Sequence, residues 1–197
     1  MTKQKKLDEI LKNNNGYLLT SDVVAAGISK TYMQEFIKAN DLERIAHGVY
    51  ASKSVWVDTL YIESLLSKSI IFSHETALYL HGFMEREPTS ISLTVGRTYN
   101  ASNLRKKGYK VYTTSNELLD LGKTTIKTNY GNTVRVYDID RTICDIIKIK
   151  NKIDIQVFQT AIKEYMRSKN KNLPNLMKYA KSMNIEDKVR LYTEVML

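Results

Sequence analysis

The chain has 197 residues, with 30 Lys and Arg against 21 Asp and Glu, for a formal net charge of +9. At 43% hydrophobic residues it can pack real cores, and its length suits two domains better than one. A single cysteine, Cys144, excludes an internal disulfide and a cysteine-based metal cluster, and no stretch approaches the ~20 apolar residues of a bilayer span, so a cytoplasmic chain with no membrane partner is expected.

The positive charge is spread out, at +2 over residues 1–55, +3 over 56–150 and +4 over 151–197. Such a distribution suits a protein held to nucleic acid by phosphate contacts and therefore sensitive to salt, although part of it reflects a general bias toward Lys, Asn and Ile.

Residues Thr2 to Asn14 read as an amphipathic helix with Leu7, Ile10 and Leu11 on one face. Asn13-Asn14-Asn15-Gly16 ends it, and Tyr17-Leu18-Leu19 is a short strand suited to pairing with a later hairpin. Thr20 or Ser21 serves as N-cap of a second helix that runs on through Asp22-Val23-Val24-Ala25-Ala26. Gly27, which takes a left-handed conformation without Cβ strain, stops it and lets a third helix leave at a steep angle, with Ile28 packed under the turn and Ser29 as the next cap.

In that third helix Met33, Phe36, Ile37 and Asn40 recur at helical spacing and form the inward stripe. The other face carries Lys30, Thr31, Tyr32, Gln34 and Lys38. The period then changes: Leu42, Ile45 and Val49 alternate with Glu43, Arg44 and His47 around Gly48, the pattern of a β-hairpin. Two helices joined by a glycine turn and followed by a hairpin make a winged helix-turn-helix.

Its expected use is DNA binding: insertion of residues Ser29 to Lys38 in the major groove, Lys30 and Lys38 on phosphates, Thr31, Tyr32 and Gln34 toward bases, Thr20 and Ser21 at the backbone, and Arg44 and His47 on the wing. Small winged domains also serve as protein-binding modules, which is the competing reading of the bare pattern.

A domain boundary near Lys53-Ser54 divides the chain into residues 1–54 and 55–197. Trp56 to Ser67 is helical, with Val57, Leu60, Tyr61, Ser64 and Leu65 spaced for one face; Ile70-Ile71-Phe72 is a strand; and Ser73 caps a helix from His74 to His81 that Gly82 stops. Ile91, Leu93 and Val95 alternate with Ser92 and Thr94 as a half-buried strand, and Tyr109 to Thr113 is another. Between these lie Arg97, Arg105, Lys106, Lys107 and Lys110, interleaved with Tyr99, Tyr109 and Tyr112. They form a second basic patch, read either as a nucleic-acid contact or as an exposed edge that lysine keeps from pairing.

Glu117 to Lys127 and Thr133 to Tyr137 flank the turn residues Asn129-Tyr130-Gly131-Asn132, giving a small sheet over about 70–138. Asp140 caps a helix from Arg141 to Lys150 with Ile143, Ile146 and Ile147 inward and Cys144 as a packed thiol. Three helices complete the chain. Their apolar faces are Val157, Phe158, Ala161, Ile162 and Tyr165; Leu176, Met177 and Ala180; and Val189, Leu191, Tyr192 and Val195. The expected fold class is α+β: an N-terminal winged helix-turn-helix followed by a larger mixed α/β domain with a small sheet and C-terminal helices.

Catalysis would need convergent groups, and the candidates are His74, Glu75 and His81 with Asp138, Asp140 and Asp145. His74 and His81 stand seven residues apart, ~10 Å along a helix, too far for one metal ion. Capping and structural hydrogen bonds account better for Asp138 and Asp140. No P-loop, dinucleotide fingerprint, nucleophile elbow or zinc signature is present, so the reading assigns no catalytic residue, metal or cofactor.

The runs G-I-S-K-T-Y-M-Q-E-F-I-K and L-E-R-I-A-H-G-V-Y resemble the N-terminal winged helix of AbiEi-type antitoxins of the bacterial AbiE toxin-antitoxin system. S-H-E-T-A-L-Y-L-H-G-F, from Ser73, and V-Y-D-I-D-R-T-I-C-D-I-I, from Val136, resemble paired signatures of that family's C-terminal antitoxin domain. The resemblance implies a non-enzymatic antitoxin that binds inverted repeats of double-stranded DNA in its own promoter. It further implies neutralisation of a cognate nucleotidyltransferase-like AbiEii-type toxin in phage defence, without a stable complex. A monomer in solution with two copies on the operator is expected. The alternatives are a ligand-sensing regulator without a toxin, and a nuclease-like enzyme using Glu75 or the aspartates around Asp140.

Overall fold

The computed structural model describes residues 2–194. Contacts divide the chain into two compact units, Met1–Ile62 and Glu63–Leu197.

In the first unit α1 (Lys3–Asn13) opens with the Thr2 hydroxyl accepting the Lys5 N–H. It is followed by β1 (Tyr17–Leu19), α2 (Thr20–Ala25), α3 (Lys30–Ala39), β2 (Leu42–Ala46) and β3 (Val49–Ser52). The three strands form an antiparallel sheet in the order β1-β3-β2, with Leu19 opposite Val49 and Arg44 opposite Tyr50. Leu7, Leu18, Val23, Ile28, Met33, Phe36, Ile37 and Leu42 make one core under the helices. Gly27 has a φ of +74° and Ile28 is buried beneath the turn, as the helical spacing required.

Two local expectations are corrected. Thr20 and Ser21 do not cap α2: Leu19 holds that position without a side-chain bond, and the free Thr20 N–H donates instead to the Gly48 carbonyl at 2.8 Å, tying the helix to the hairpin turn. Asn40 is exposed and is not part of the buried stripe; it closes α3, its side-chain amide donating to the Phe36 carbonyl at 2.9 Å. Beyond the hairpin the chain remains attached to this unit, because the buried Tyr17 hydroxyl donates to the Trp56 carbonyl and accepts the Asp58 N–H while its ring meets Tyr61 edge-on at 5.4 Å.

The unit division falls inside α4 (Thr59–Leu66). The second unit then builds a five-stranded mixed sheet from β4 (Ile71–Phe72), β5 (Ser92–Gly96), β6 (Lys110–Thr114), β7 (Lys123–Lys127) and β8 (Thr133–Tyr137), in the order β6-β5-β4-β8-β7. β4–β8 and β5–β6 are parallel, whereas β4–β5 and β7–β8 are antiparallel. The helices are α5 (His74–Leu80), α6 (Ser102–Lys106), α7 (Asn116–Leu119), α8 (Ile139–Lys148), α9 (Ile155–Arg167), α10 (Leu173–Ser182) and α11 (Glu186–Glu194). Ile143, Ile146, Ile147, Phe158, Tyr165, Leu176 and Val189 lie in their common core, with Cys144 packed among them. Val195, expected on the last helical face, lies outside the described residues. The whole is the α+β arrangement expected, with a winged helix first and a larger sheet-and-helix unit after it.

Four details differ from the sequence reading. β5 is buried along its full length, not on one face, because the alternating Ser92 and Thr94 are absorbed by internal hydrogen bonds to Glu75 and Ser73. Ser73 precedes α5 but makes no capping bond, its hydroxyl being engaged with Thr94 and His74. Residues 116–119 form a helix where a strand was expected, and β7 begins only at Lys123. Asp138, not Asp140, caps α8 by accepting the Arg141 N–H at 2.7 Å. Sequence offered two aspartates at the right place, and only their packing separates them.

Candidate nucleic-acid interface

The exposed polar face of the first unit is organised by α3. Ser29 accepts the Tyr32 N–H at 3.3 Å, which fixes where the helix starts, and Lys30, Thr31, Gln34 and Lys38 stand exposed opposite Met33, Phe36 and Ile37. The helix N-terminus carries no acidic side chain in its first turn and Lys38 lies in its last, so its charged side chains do not oppose a phosphate backbone at either end. Tyr32 differs from its neighbours: its ring packs partly on the core, with Lys3 Nζ 5.6 Å from its centroid, leaving less of it free for a ligand.

The hairpin supplies the second part. Its register slips between Arg44 and Ala46, a bulge that increases local twist, and Gly48 turns the chain at a φ of +72°. Arg44 and His47 are both exposed, with the Arg44 guanidinium 3.2 Å from His47 Nδ1. Thr20 sits beside this turn and Ser21 is exposed next to it, hydrogen-bonded to Asp22.

A residue absent from the sequence reading joins helix to hairpin. Tyr50, paired with Leu18 across the sheet and packed at the margin of the helical core, accepts from the Gln34 side-chain amide at 3.5 Å. Nothing in the spacing of the hairpin signalled that Gln34 lies against Tyr50. At the base of the hairpin Lys53 sits 2.5 Å from Asp41 and 4.0 Å from Glu43, partnering the two acids nearest the end of α3. The Asp41 hydrogen bond and charge push Lys53 above its ordinary range.

The second basic patch is assembled differently. Lys107 pairs with Glu63 at 2.6 Å and Lys110 with Glu75 at 2.7 Å, both acids being largely buried, while Arg97, Arg105 and Lys106 are exposed. Its tyrosines point to internal partners: Tyr99 to Ser67, Tyr109 to Glu63, and Tyr112 stacked on His74 with ring centroids 3.5 Å apart. No row of aromatic platforms is left for bases.

The residues weighed for catalysis are held in structural networks. Asp138 caps α8 and accepts from Tyr179; Asp140 accepts from Tyr165 at 2.7 Å and from the Asn175 amide at 2.8 Å, joining α8, α9 and α10. Glu75 takes the Ser92 hydroxyl and Lys110, and His81 meets the Tyr137 carbonyl at 2.8 Å. Arg141 is almost wholly buried, donating to the Leu118 and Leu121 carbonyls and to Asp145, with Tyr137 beneath it. Its position after a helix-capping aspartate gave no sequence signal of such burial. Among the described residues no three His, Cys, Asp or Glu side chains are grouped to hold a metal ion, and no helix is long and apolar enough to cross a membrane.

Residues 5–53 match the family described as transcriptional regulator, AbiEi antitoxin. The matched span runs from within α1 through the hairpin, in agreement with the resemblance of the helix-turn-helix and wing to that family. No curated protein matches the chain. Among solved structures, the RV2827C protein from Mycobacterium tuberculosis aligns over 95% of this chain and 82% of its own, at 10% identity and a TM-score of 0.46.

Proposed function

We propose that this protein is an antitoxin that represses its own operon, the first unit binding inverted repeats in the promoter and the second opposing an AbiEii-type nucleotidyltransferase-like toxin. The observation that carries the DNA half is the α3 face: four exposed polar side chains at the start and along one side of a capped helix, beside a twisted hairpin bearing Arg44 and His47. In the complex α3 lies in the major groove. Thr31 and Gln34 face base edges with the exposed part of Tyr32, Lys30 and Lys38 meet phosphates, Thr20 and Ser21 contact the backbone, and Arg44 and His47 follow the flanking backbone or minor groove. Ser29 positions the helix and Tyr50 positions Gln34. Two copies occupy the two half-sites. The antitoxin half is supported by the family match of the first unit and by the resemblance of the Ser73 and Val136 segments, and it operates without a stable toxin complex.

Two substitutions in the full chain separate the roles. Gln34→Ala is expected to cost about 1–3 kcal/mol on the preferred operator and to relax choice at one base pair. Lys38→Ala is expected to weaken operator and scrambled DNA alike and to reduce the salt slope by about 0.9. Quantitative gel shifts at several salt concentrations read both; unchanged affinity and selectivity in both variants would refute the α3 assignment. The same variants, co-expressed with the toxin gene, should still rescue growth while losing promoter repression, whereas loss of rescue would place neutralisation on the DNA-binding face.

A further inference from the structure

The second unit contains a cavity of about 690 Å³ between β6, α8, the turn after it, and α11. Its floor is polar and enclosed: His74, Thr94 and Tyr112 on one side, Arg141 and Asp145 on the other. Its rim is basic, with Lys148, Lys150, Lys152 and Lys188 all exposed and none in an ion pair within 4 Å among the described residues. Among the described residues Asp145 is the only acidic side chain that lines it.

One atom on that floor lacks a partner. Asp145 Oδ1 accepts from Arg141 Nε at 3.3 Å, but Asp145 Oδ2 is buried with no hydrogen-bond partner among the described residues, and the side chain is only 8% exposed. An unmet buried acceptor costs roughly 1–3 kcal/mol, which makes this oxygen the atom of the floor best placed to take a donor from a ligand. An inorganic anion would suit the lysines but would be repelled by the Asp145 carboxylate and would leave the aromatic side of the cavity unfilled. The matching molecule is anionic at one end and carries hydroxyl or amino donors at the other. Its size is that of a small-ligand pocket, and the ring of Tyr192 offers an apolar wall.

We infer that this cavity binds a nucleoside phosphate, with the lysine rim on the phosphates and Asp145 Oδ2 accepting from a sugar hydroxyl or a base amino group. Lys148 and Lys188, on α8 and α11, close on the phosphates from two sides, and Lys150 lies over the Phe158 and Tyr192 rings at 5.7 and 5.4 Å, holding the rim beside the aromatic wall. This site belongs to the second unit alone and is independent of the DNA-binding reading.

Isothermal titration of the full chain with each of the four ribonucleoside triphosphates, ribose 5-phosphate and tripolyphosphate tests it. At least one nucleotide should saturate with a dissociation constant between about 10 μM and 1 mM and bind at least about tenfold more tightly than tripolyphosphate or ribose 5-phosphate. Lys188→Ala, an exposed change, should weaken nucleotide and tripolyphosphate together, whereas Asp145→Asn should weaken the nucleotide and leave tripolyphosphate bound at least as tightly as before. Absence of saturation by any nucleotide, or equal binding of tripolyphosphate and nucleotides, would overturn the assignment. The comparison of ligands on the unaltered chain decides this even if Asp145→Asn fails to fold.

Discussion

His74 shows how one side chain writes a pH dependence into the second unit. Burial first, then the charges of Arg141, Lys110 and Lys148, lower its pKa from 6.5 to about 3. Below pH 6.5 the unfolded chain takes up a proton that the folded chain refuses until about pH 3, so the stability His74 contributes near neutrality is lost as pH falls through that window. Asp145 works the other way: burial, only partly offset by Arg141, raises it from 3.8 to about 6, and its contribution grows as pH falls from 6 toward 3.8. The two oppose each other in the intact protein, and a substitution separates them. His74 has a φ of +51°, so asparagine, which tolerates that conformation and does not titrate, is the suitable replacement. Relative to the parent, His74→Asn should gain about 2 kcal/mol of unfolding free energy on moving from pH 7 to pH 5. Parallel denaturant titrations of the two chains at both pH values measure this; identical pH dependence would mean that His74 is already charged in the folded state.

At the scale of elements, the helix-turn-helix depends on how α2 hands over to α3. Gly27 sits at a φ of +74° with open space where a Cβ would go, so alanine there meets no neighbour and suffers only the left-handed conformation. That strain is worth about 1–2 kcal/mol. Gly27→Ala should therefore lower the melting temperature of the first unit by several degrees, while below the transition operator affinity remains within about twofold of the parent. A larger affinity loss in a folded variant would show that the crossing angle of the two helices adjusts to the side chain. The element scale also explains where pattern reading succeeded. Met33, Phe36 and Ile37 in α3, and Ile143, Ile146 and Ile147 in α8, announced their buried faces by spacing alone, because an isolated amphipathic helix has one way to hide its stripe. It failed at β5, where Ser92 and Thr94 looked like a solvent face and are instead buried and hydrogen-bonded to residues far away in sequence.

At the scale of the whole molecule, a charge of +9 does not translate into one continuous binding surface. Lys107 and Lys110 are neutralised by buried glutamates, and the tyrosines beside them are committed to internal contacts. Replacing Arg97, Arg105 and Lys106 together with alanine should accordingly leave specific operator affinity within about twofold and the salt slope within about 0.5 of the parent; a drop of tenfold or more in fluorescence anisotropy would show that the second unit also tracks DNA. Sequence alone determined the winged helix, because its signals are local: a glycine turn, a serine cap, an apolar stripe and a hairpin follow one another within some thirty residues. The exposed face of α3 was legible for the same reason. Only the tertiary structure decided the roles of Asp138 and Asp140, the burial of Arg141, the contact of Tyr50 with Gln34, and the cavity that leaves Asp145 half-satisfied. Each of these depends on distances between residues remote in the chain, and the energy of a buried polar group is set by the neighbours that folding brings to it.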